Sequence, residues 1–226
     1  MRIDGRVVLI AGAAGGLGHA VTPAFVRAGA TVVMVDRAVP SEIGEGQRAF
    51  AADVTDENDV RRVIAEVIKQ TGRIDCLVNL VGGFAPGRVV ETEVALWQKM
   101  LSLNLTAAFL LSGAVVPPMV RQGSGRIIHI AARAALEPFP GAAAYIVAKS
   151  GLLGLIRALA LELAGTGVTV NGVLPSTMDT PANRRSMPDA DPATWVKPET
   201  VASLLLFLVS QTTADLNGAL IPLGAG

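Results

Sequence analysis

Cysteine, charge and long apolar runs are all scarce in this sequence, and each shortage excludes a class of protein. Cys76 is the only cysteine among 226 residues, so no internal disulfide can form, and without a secretory signal we expect a reduced, cytoplasmic setting. Charged residues make up 17%, with 19 Lys and Arg against 19 Asp and Glu, so there is no basic excess to bind nucleic acid. Apolar runs such as 201–209 are shorter than the roughly 20 residues that cross a bilayer, and we expect no membrane partner.

Apolar residues, by contrast, make up 51% of the chain, which is ample for one hydrophobic core and excludes intrinsic disorder. Short β-branched runs alternate with longer stretches of helical periodicity. The predicted strands cover 6–11, 31–35, 74–79, 126–130, 168–174 and 219–223, and the predicted helices cover 18–28, 56–71, 93–116, 142–164 and 199–210. We expect helix 93–116 to stop at Pro117 and Pro118, because proline lacks the amide hydrogen that a helix interior uses.

This alternation predicts a single doubly wound α/β domain over residues 1–226, with a mainly parallel sheet and helices on both faces. The predicted strands are apolar on both sides, as strands are when helices cover both faces of a sheet. One stretch, 175–198, is irregular and contains five prolines. Because long irregular loops in compact domains usually serve function, this segment is predicted to cover a substrate.

A glycine-rich loop follows the first predicted strand. Gly12, Gly16, Leu17 and Gly18 lead from that strand into the first predicted helix. Glycines let the backbone approach phosphate oxygens, and a helix N-terminus offers them unpaired N–H groups. An ordinary tight turn is the alternative, but the order of strand, glycines, helix, second strand and acidic residue favours a dinucleotide site.

The acidic residue in that order is Asp36, at the end of the second predicted strand. A carboxylate there can accept hydrogen bonds from both hydroxyls of an adenosine ribose, and it would repel a 2′-phosphate. The neighbouring Arg37 could offset part of that repulsion, although it is equally typical of a solvated surface charge. The pattern therefore predicts NAD(H) as cofactor in preference to NADP(H).

The only tyrosine of the chain, Tyr145, is followed four residues later by Lys149. On a helix this spacing places both side chains on one face. A free phenol has a pKa of about 10, and a nearby ammonium would favour its ionised form. Taken alone, the pair is more typical of an interfacial tyrosine beside a surface lysine. After a dinucleotide loop, it predicts a tyrosine that exchanges a proton with substrate.

Together these features resemble the short-chain dehydrogenase/reductase family, which joins a Gly-xxx-Gly-x-Gly loop to a Tyr-xxx-Lys pair, and the likeness covers essentially the whole chain. The resemblance implies that Asn104 holds a water of the proton relay through a backbone kink, and that Lys149 also binds the nicotinamide ribose. It also implies a homodimer or homotetramer, because family members pair subunits through the lysine helix. Further cofactor contacts implied by resemblance are Asp53, Val54, Asn79, Val81, Gly82, Tyr145, Pro175, Thr177 and Thr180.

One position departs from the family pattern. The family has a serine that holds the substrate carbonyl thirteen residues before its tyrosine, where this chain has Ala132, and no nearby residue supplies the missing hydroxyl. An ordinary ketone would therefore lose a hydrogen-bond donor. Dihydropteridine reductases, a branch of the family, lack the same serine and reduce a conjugated quinonoid dihydropterin with NADH. The segments around Ala132 and Trp195 resemble that branch.

Four further residues were candidates for the site. His129 lies in a predicted strand and is expected to be a hydrogen-bonded structural histidine, and His19 to be a packing or solvent contact. Neither has the companions that a metal site requires, so no metal is predicted. Trp97 is expected in the core, and Trp195, in the irregular segment, at the substrate pocket together with Ala132.

The leading hypothesis is an NADH-dependent reductase of a small molecule, with Tyr145, Lys149 and Asn104 as its catalytic residues. Its acceptor would be a quinonoid dihydropteridine. A carbonyl or quinone reductase of the same family is the first alternative. The second comes from another class, a sensor or scaffold that binds NAD(H) without turnover, and the missing serine motivates it.

Overall fold

Seven short strands form one parallel sheet at the centre of the computed structural model, which describes residues 1–40 and 43–224. The spatial order is β3-β2-β1-β4-β5-β6-β7, and each neighbouring pair is parallel. The strands are β1 (Val7–Ala11), β2 (Thr31–Asp36), β3 (Gln47–Ala51), β4 (Cys76–Asn79), β5 (Gly125–Ile130), β6 (Val168–Pro175) and β7 (Leu220–Leu223). The strand order confirms the predicted doubly wound sheet.

Seven α-helices of the described residues connect these strands. They are α1 (Gly18–Arg27), α2 (Glu57–Thr71), α3 (Val94–Leu101), α4 (Ala107–Gln122), α5 (Ala143–Glu162), α6 (Pro181–Ser186) and α7 (Pro198–Leu208). Helices α1 and α7 share one core with one face of the sheet, and α2, α4 and α5 share a second core with the other. Successive β1 residues alternate between these cores, so both sheet faces are buried, as the apolar strands predicted.

The order in which strands are added to the sheet reverses after β3. Strands β2 and β3 lie on one side of β1, and β4 begins the series on its other side. These two strands are direct neighbours although α1, β2, β3 and α2 lie between them in sequence, and Ala11 pairs with Asn79 at their carboxyl ends. Loops leaving such neighbouring strands diverge to opposite faces and open a crevice, which is where open α/β sheets bind ligands. The glycine-rich loop and the loop after Asn79 border this crevice.

The predicted stop of helix 93–116 at Pro117 and Pro118 is wrong. The helix continues to Gln122 and ends at Gly123, whose φ of 66° is left-handed. Each proline removes one backbone donor from the helix, but Pro118 and Met119 are buried against the sheet. Core packing at this turn outweighs the lost hydrogen bonds. The predicted helix is also interrupted by a π-helical turn, Ser102–Thr106, which contains Asn104.

Three other expectations about local structure need correction. Strand β3 was missed, because it is a half-buried edge strand with polar residues that pairs only with β2 among the described strands. The irregular stretch 175–198 contains the short helix α6. Trp97 is 38% exposed and does not belong to either core, because α3 lies at the outside of the domain.

Two helical stretches are long and apolar enough, by length and composition alone, to cross a membrane: Val94–Gln122 with 29 residues and Ala143–Glu162 with 20. Neither stretch is an uninterrupted apolar run, because the first contains Lys99 and Arg121 and the second contains Lys149 and Arg157. Proline-containing α4 extends further than predicted, and its inner face packs on the sheet together with that of α5. Core-facing and outward apolar residues on the same helix together produce the membrane-like composition.

Candidate active site

The glycine-rich loop turns tightly between β1 and α1, and its glycine positions leave no room for a side chain. Gly12 has a φ of 82°, and a Cβ there would lie 3.0 Å from the Val81 nitrogen. A Cβ on Gly18 would collide with the Ala13 carbonyl, and one on Gly16 would press on the Thr180 side chain at 3.3 Å. These glycines keep the backbone bare at the start of α1, which is the cradle that a diphosphate requires.

Asp36 joins this loop to the rim of the crevice. Its carboxylate accepts hydrogen bonds from the backbone N–H of Ala14 at 2.9 Å and of Arg37 at 2.8 Å. Both Asp36 and Arg37 line the crevice. The carboxylate is thus held by backbone donors at the position where the sequence predicted contact with a ribose.

The crevice is a cleft of about 550 Å³, and it brings together seven of the predicted cofactor contacts. These are Gly12, Asp36, Arg37, Asp53, Val54, Val81 and Gly82. Gly16 instead lines a smaller pocket of about 290 Å³ on the other side of the loop, with Asp179, Pro181 and Lys197.

The cleft also includes residues that sequence reasoning missed: Ala14, Gly15, Val35, Ala52, Thr55, Leu80, Lys99, Ser102 and Leu103. Lys99, Ser102 and Leu103 carried no signal, because only packing turns α3 and the π turn towards the cleft.

Asp53 shapes the floor of the cleft through a local turn. Its carboxylate accepts hydrogen bonds from the Thr55 backbone N–H at 2.9 Å and the Thr55 hydroxyl at 2.6 Å. These bonds hold the pKa of Asp53 below its ordinary value. Val54, beside it, is buried. The carboxylate is therefore kept ionised, and its two bonds to Thr55 fix the turn after β3.

A buried hydrogen-bond chain supports the loop after β4. The backbone N–H of Val81 donates to Asn79 Oδ1 at 3.0 Å, and Asn79 Nδ2 donates to His129 Nδ1 at 3.1 Å. His129 Nε2 must then carry the ring hydrogen, which it donates to Ser112 Oγ at 3.0 Å, and Ser112 donates to the Ala108 carbonyl. Burial lowers the pKa of His129 to about 3, so the ring is neutral. The prediction of a hydrogen-bonded structural histidine is confirmed.

Lys149 and Asn104 meet at Gly82, one of the cleft residues. A Cβ on Gly82 would lie 2.9 Å from Asn104 Oδ1 and 3.1 Å from Lys149 Nζ, so only glycine permits this approach. Lys149 is buried, and its ammonium donates to the Ile130 carbonyl at 2.8 Å. Burial lowers the pKa of Lys149 to about 8. The loss of hydration is the dominant effect on this cation.

Asn104 sits in the π-helical turn and is buried. Its Oδ1 accepts from the Gly83 N–H at 3.1 Å, and its Nδ2 donates to the carbonyls of Gly83 at 3.0 Å and Met100 at 3.1 Å. The side chain is therefore committed to holding the loop after β4. The π turn agrees with the backbone kink that the resemblance implied at this residue.

Tyr145 lies one helical turn before Lys149 on α5. Its ring packs edge-on against Phe84, with the ring centres 5.1 Å apart. Burial raises the pKa of Tyr145 to about 12, and Lys149 does not offset this rise. The expectation that the ammonium lowers the pKa of the phenol is thus wrong for the protein alone, because burial alone shifts this pKa. Within the described residues the Tyr145 hydroxyl makes no hydrogen bond.

Ala132 is buried at the start of the loop that follows β5, and its carbonyl accepts from the Ala135 N–H at 3.0 Å. The loop therefore turns as a short helix that begins at Arg133. Between Gly125 and Lys149 the only hydroxyl is that of Tyr145, so the site has no side-chain substitute for the missing serine in this segment.

The segment 175–198 folds back on itself beside the glycine-rich loop. Pro175 ends β6, the Thr177 carbonyl accepts from the Val196 N–H at 2.9 Å, and Thr180 caps α6 while packing on Gly16. Trp195, next to this pairing, is buried and does not line the 550 Å³ cleft. Its predicted place at a substrate pocket stays a prediction.

Asp179 ties the two ends of this segment together. Its carboxylate receives two hydrogen bonds from Arg184, at 2.6 and 3.0 Å, and one from Lys197 at 2.7 Å. These cations hold its pKa far below the ordinary range. Thr180, the next residue, is thereby held against Gly16 of the glycine-rich loop.

The fold and these residues define a class: a Rossmann-type oxidoreductase that depends on a nicotinamide dinucleotide. The chain belongs to the short-chain dehydrogenase/reductase family, since the family model described as short chain dehydrogenase matches residues 6–191. The predicted family and enzyme class are thus confirmed.

Relatives in the family act on different substrates. The chain is 32% identical to the 3-oxoacyl-[acyl-carrier-protein] reductase FabG of Thermotoga maritima, over 100% of this chain and 99% of that protein. It is 34% identical to the meso-2,3-butanediol dehydrogenase of Serratia marcescens, over 100% and 96%. Among solved structures, the ligand-free aldohexose dehydrogenase of Thermoplasma acidophilum superposes with a TM-score of 0.90 at 27% identity, covering 97% of this chain and 92% of that one.

Proposed function

We propose that this protein is an NADH-dependent reductase in which Tyr145 delivers a proton to the reduced acceptor. One observation carries the proposal: the loop 82–84 contacts all three candidate catalytic residues. Lys149 Nζ and Asn104 Oδ1 pack on Gly82, and Phe84 packs on Tyr145. Gly82 also lines the 550 Å³ cleft, which supports an acid–base role for Tyr145 beside a bound cofactor.

NADH, when bound, supplies the hydride, which carries two electrons and one hydrogen nucleus to the acceptor. The Tyr145 hydroxyl then supplies the second hydrogen as a proton, which completes the two-electron reduction. With a pKa raised to about 12, this phenol is fully protonated at neutral pH, as a proton donor must be. Lys149 would bind the nicotinamide ribose, and the backbone at Asn104 would hold a water that returns a proton to Tyr145.

The preference for NADH over NADPH rests on Asp36. Its carboxylate lines the cleft and is oriented by the Ala14 N–H. A 2′-phosphate would place like charge against it, whereas ribose hydroxyls would donate to it. Arg37 also lines the cleft and would offset only part of this repulsion.

We propose a quinonoid dihydropteridine as the acceptor. Support comes from Ala132, which leaves the segment before Tyr145 without the hydroxyl that would hold an isolated carbonyl. A conjugated acceptor spreads the developing charge over several atoms and depends less on one donor. A carbonyl or quinone reductase is the second candidate, favoured by relatives named as a 3-oxoacyl reductase and a butanediol dehydrogenase.

A panel of acceptors tests the proposal. NADH oxidation is followed with quinonoid dihydropterin, a naphthoquinone and simple ketones, for the wild type and for Ala132→Ser. We expect wild-type turnover to be fastest with quinonoid dihydropterin. Faster reduction of the naphthoquinone or of a ketone by the wild type would favour the second candidate. Binding of NADH without reduction of any acceptor would instead support a non-catalytic sensor.

We also propose that subunits pair through α4 and α5, as a homodimer or homotetramer in the cytoplasm. Both helices carry large apolar side chains on their outer faces, namely Phe109, Val120, Val147 and Leu161. Exposed apolar surface of this kind is typical of protein interfaces. Light scattering after gel filtration measures the mass, and Leu161→Glu should reduce it if the interface is correct.

A further inference from the structure

Two phenylalanine rings stand exposed beside the only tyrosine of the chain. Phe84 is 57% exposed and Phe139 is 46% exposed, although both are large apolar side chains. The Phe84 ring centre lies 5.1 Å from that of Tyr145, edge to face, and 6.5 Å from that of Phe139. We refer to Phe84, Phe139 and Tyr145 as the aromatic wall.

The loop that carries Phe84 is held at both ends. Asn104 bonds to the backbone N–H and carbonyl of Gly83, immediately before Phe84. Three residues later, the Gly87 N–H donates to the Gly141 carbonyl at 2.7 Å. These bonds fix the backbone on each side of Phe84, so its exposure follows from the fold and not from a loose loop.

The loop that carries Phe139 is constrained by other means. A proline stands on each side of Phe139, and proline restricts both its own φ and the residue before it. Arg133 holds the start of this loop through two bonds to Glu137, at 2.8 and 3.0 Å, and one to the Gly224 carbonyl at 2.7 Å. Two separately supported loops therefore present their rings at the same place.

We propose that the aromatic wall selects the acceptor by binding a planar conjugated ring against Phe84 and Phe139, next to the Tyr145 hydroxyl. This inference rests on the proposed function and adds the residues that determine its substrate class. Exposed aromatic faces gain most from a flat partner, which they can contact by stacking or edge to face. Stacking of this kind orients an acceptor without the hydroxyl that is missing at Ala132.

Kinetics of matched variants test the selection. Phe84→Ala and Phe139→Ala are compared with Phe207→Ala, which removes a 44% exposed ring from α7. For each Ala change in the wall we expect kcat/KM with 1,4-naphthoquinone-2-sulfonate to fall about tenfold. With 2,3-butanedione, a small aliphatic acceptor that cannot stack on the rings, kcat/KM should fall clearly less in both variants. Equal losses with both acceptors, or none with either, would overturn the proposal.

A titration without turnover separates this inference from the proposed function. 1,4-naphthoquinone-2-sulfonate is titrated calorimetrically into protein saturated with NAD⁺, which has no hydride to give. The two wall variants should bind it about tenfold more weakly, and Phe207→Ala should bind it as the wild type does. Failure of the proposed function would leave this result intact. Unchanged binding combined with a lower oligomeric mass in the wall variants would mean that the rings contact a second subunit, and the proposal would be wrong.

Discussion

The two halves of the candidate site are built in different ways. On the dinucleotide side, bare glycine backbone and the carboxylate of Asp36 lie within the first 36 residues, and backbone bonds hold them. On the acceptor side, Phe84 lies on one loop and Ala132 and Phe139 on another, and the Gly87–Gly141 backbone bond and the contact of the two rings bring these loops together. The first half binds what the whole family shares, whereas the second can change with few consequences for the fold. Substrate preference is therefore expected to vary through the loops and not through the sheet.

The largest effect is expected for Tyr145→Phe, which removes only the hydroxyl at the point where the two halves of the site meet. Turnover should fall about 10²- to 10⁴-fold, because the proton donor is lost. The Kd for NADH, measured by fluorescence titration, should stay nearly constant, since the dinucleotide side is untouched. Turnover at the wild-type rate would remove Tyr145 from the mechanism.

The burial of Lys149 gives a second test, through the pH dependence of stability. Its pKa is about 8 in the folded protein and about 10.4 when unfolded. Between these values the unfolded chain binds more protons than the folded protein does. The contribution of Lys149 to the free energy of unfolding therefore increases as the pH rises from about 8 to 10.5. The free energy of unfolding is measured by denaturation for the wild type and for Lys149→Met. Over this pH range the value for the wild type should rise by roughly 3 kcal/mol relative to that for the variant. A constant difference would contradict the burial of the charge.

Gly82→Ala tests whether the two halves depend on one another. The new Cβ would lie within 3.1 Å of both Asn104 Oδ1 and Lys149 Nζ and must displace them. We expect turnover to fall about tenfold to a hundredfold, as misplacement of catalytic groups does. Gly113→Ala is the control for the added methyl group, because a Cβ there meets nothing within 4 Å. Its oligomeric mass is compared with that of the wild type, because α4 is a proposed subunit contact. Equal activity of the two variants would show that the contact at Gly82 is dispensable.

The smallest effect concerns the dinucleotide side alone. Asp36→Asn keeps an oxygen that can accept from the Ala14 N–H but removes the negative charge. The ratio of the Kd for NADPH to that for NADH should fall about tenfold, because repulsion of the 2′-phosphate is lost. Turnover with saturating NADH should change little. An unaltered ratio would mean that Asp36 does not set the cofactor preference.

Several structural features were hidden from sequence for identifiable reasons. Edge strand β3 lacks a continuous apolar run, as is typical of a strand that pairs on one side only among the described strands. Pro117 and Pro118 suggested a helix end, but burial of Pro118 carries α4 onward. Lys99 reaches the cleft only because α3 packs where it does. Each case is a local preference overridden by tertiary packing.

The glycines, Asp36 and the Tyr145–Lys149 spacing were readable from the chain, because backbone geometry and helical periodicity act over a few residues. Alternating apolar segments likewise determined the doubly wound sheet. The meeting of Lys149 and Asn104 at Gly82, the effect of burial on the pKa of Tyr145, and the aromatic wall were decided by the tertiary structure. They depend on distances between segments far apart in sequence, and solvent exclusion at those contacts exists only once the chain has packed.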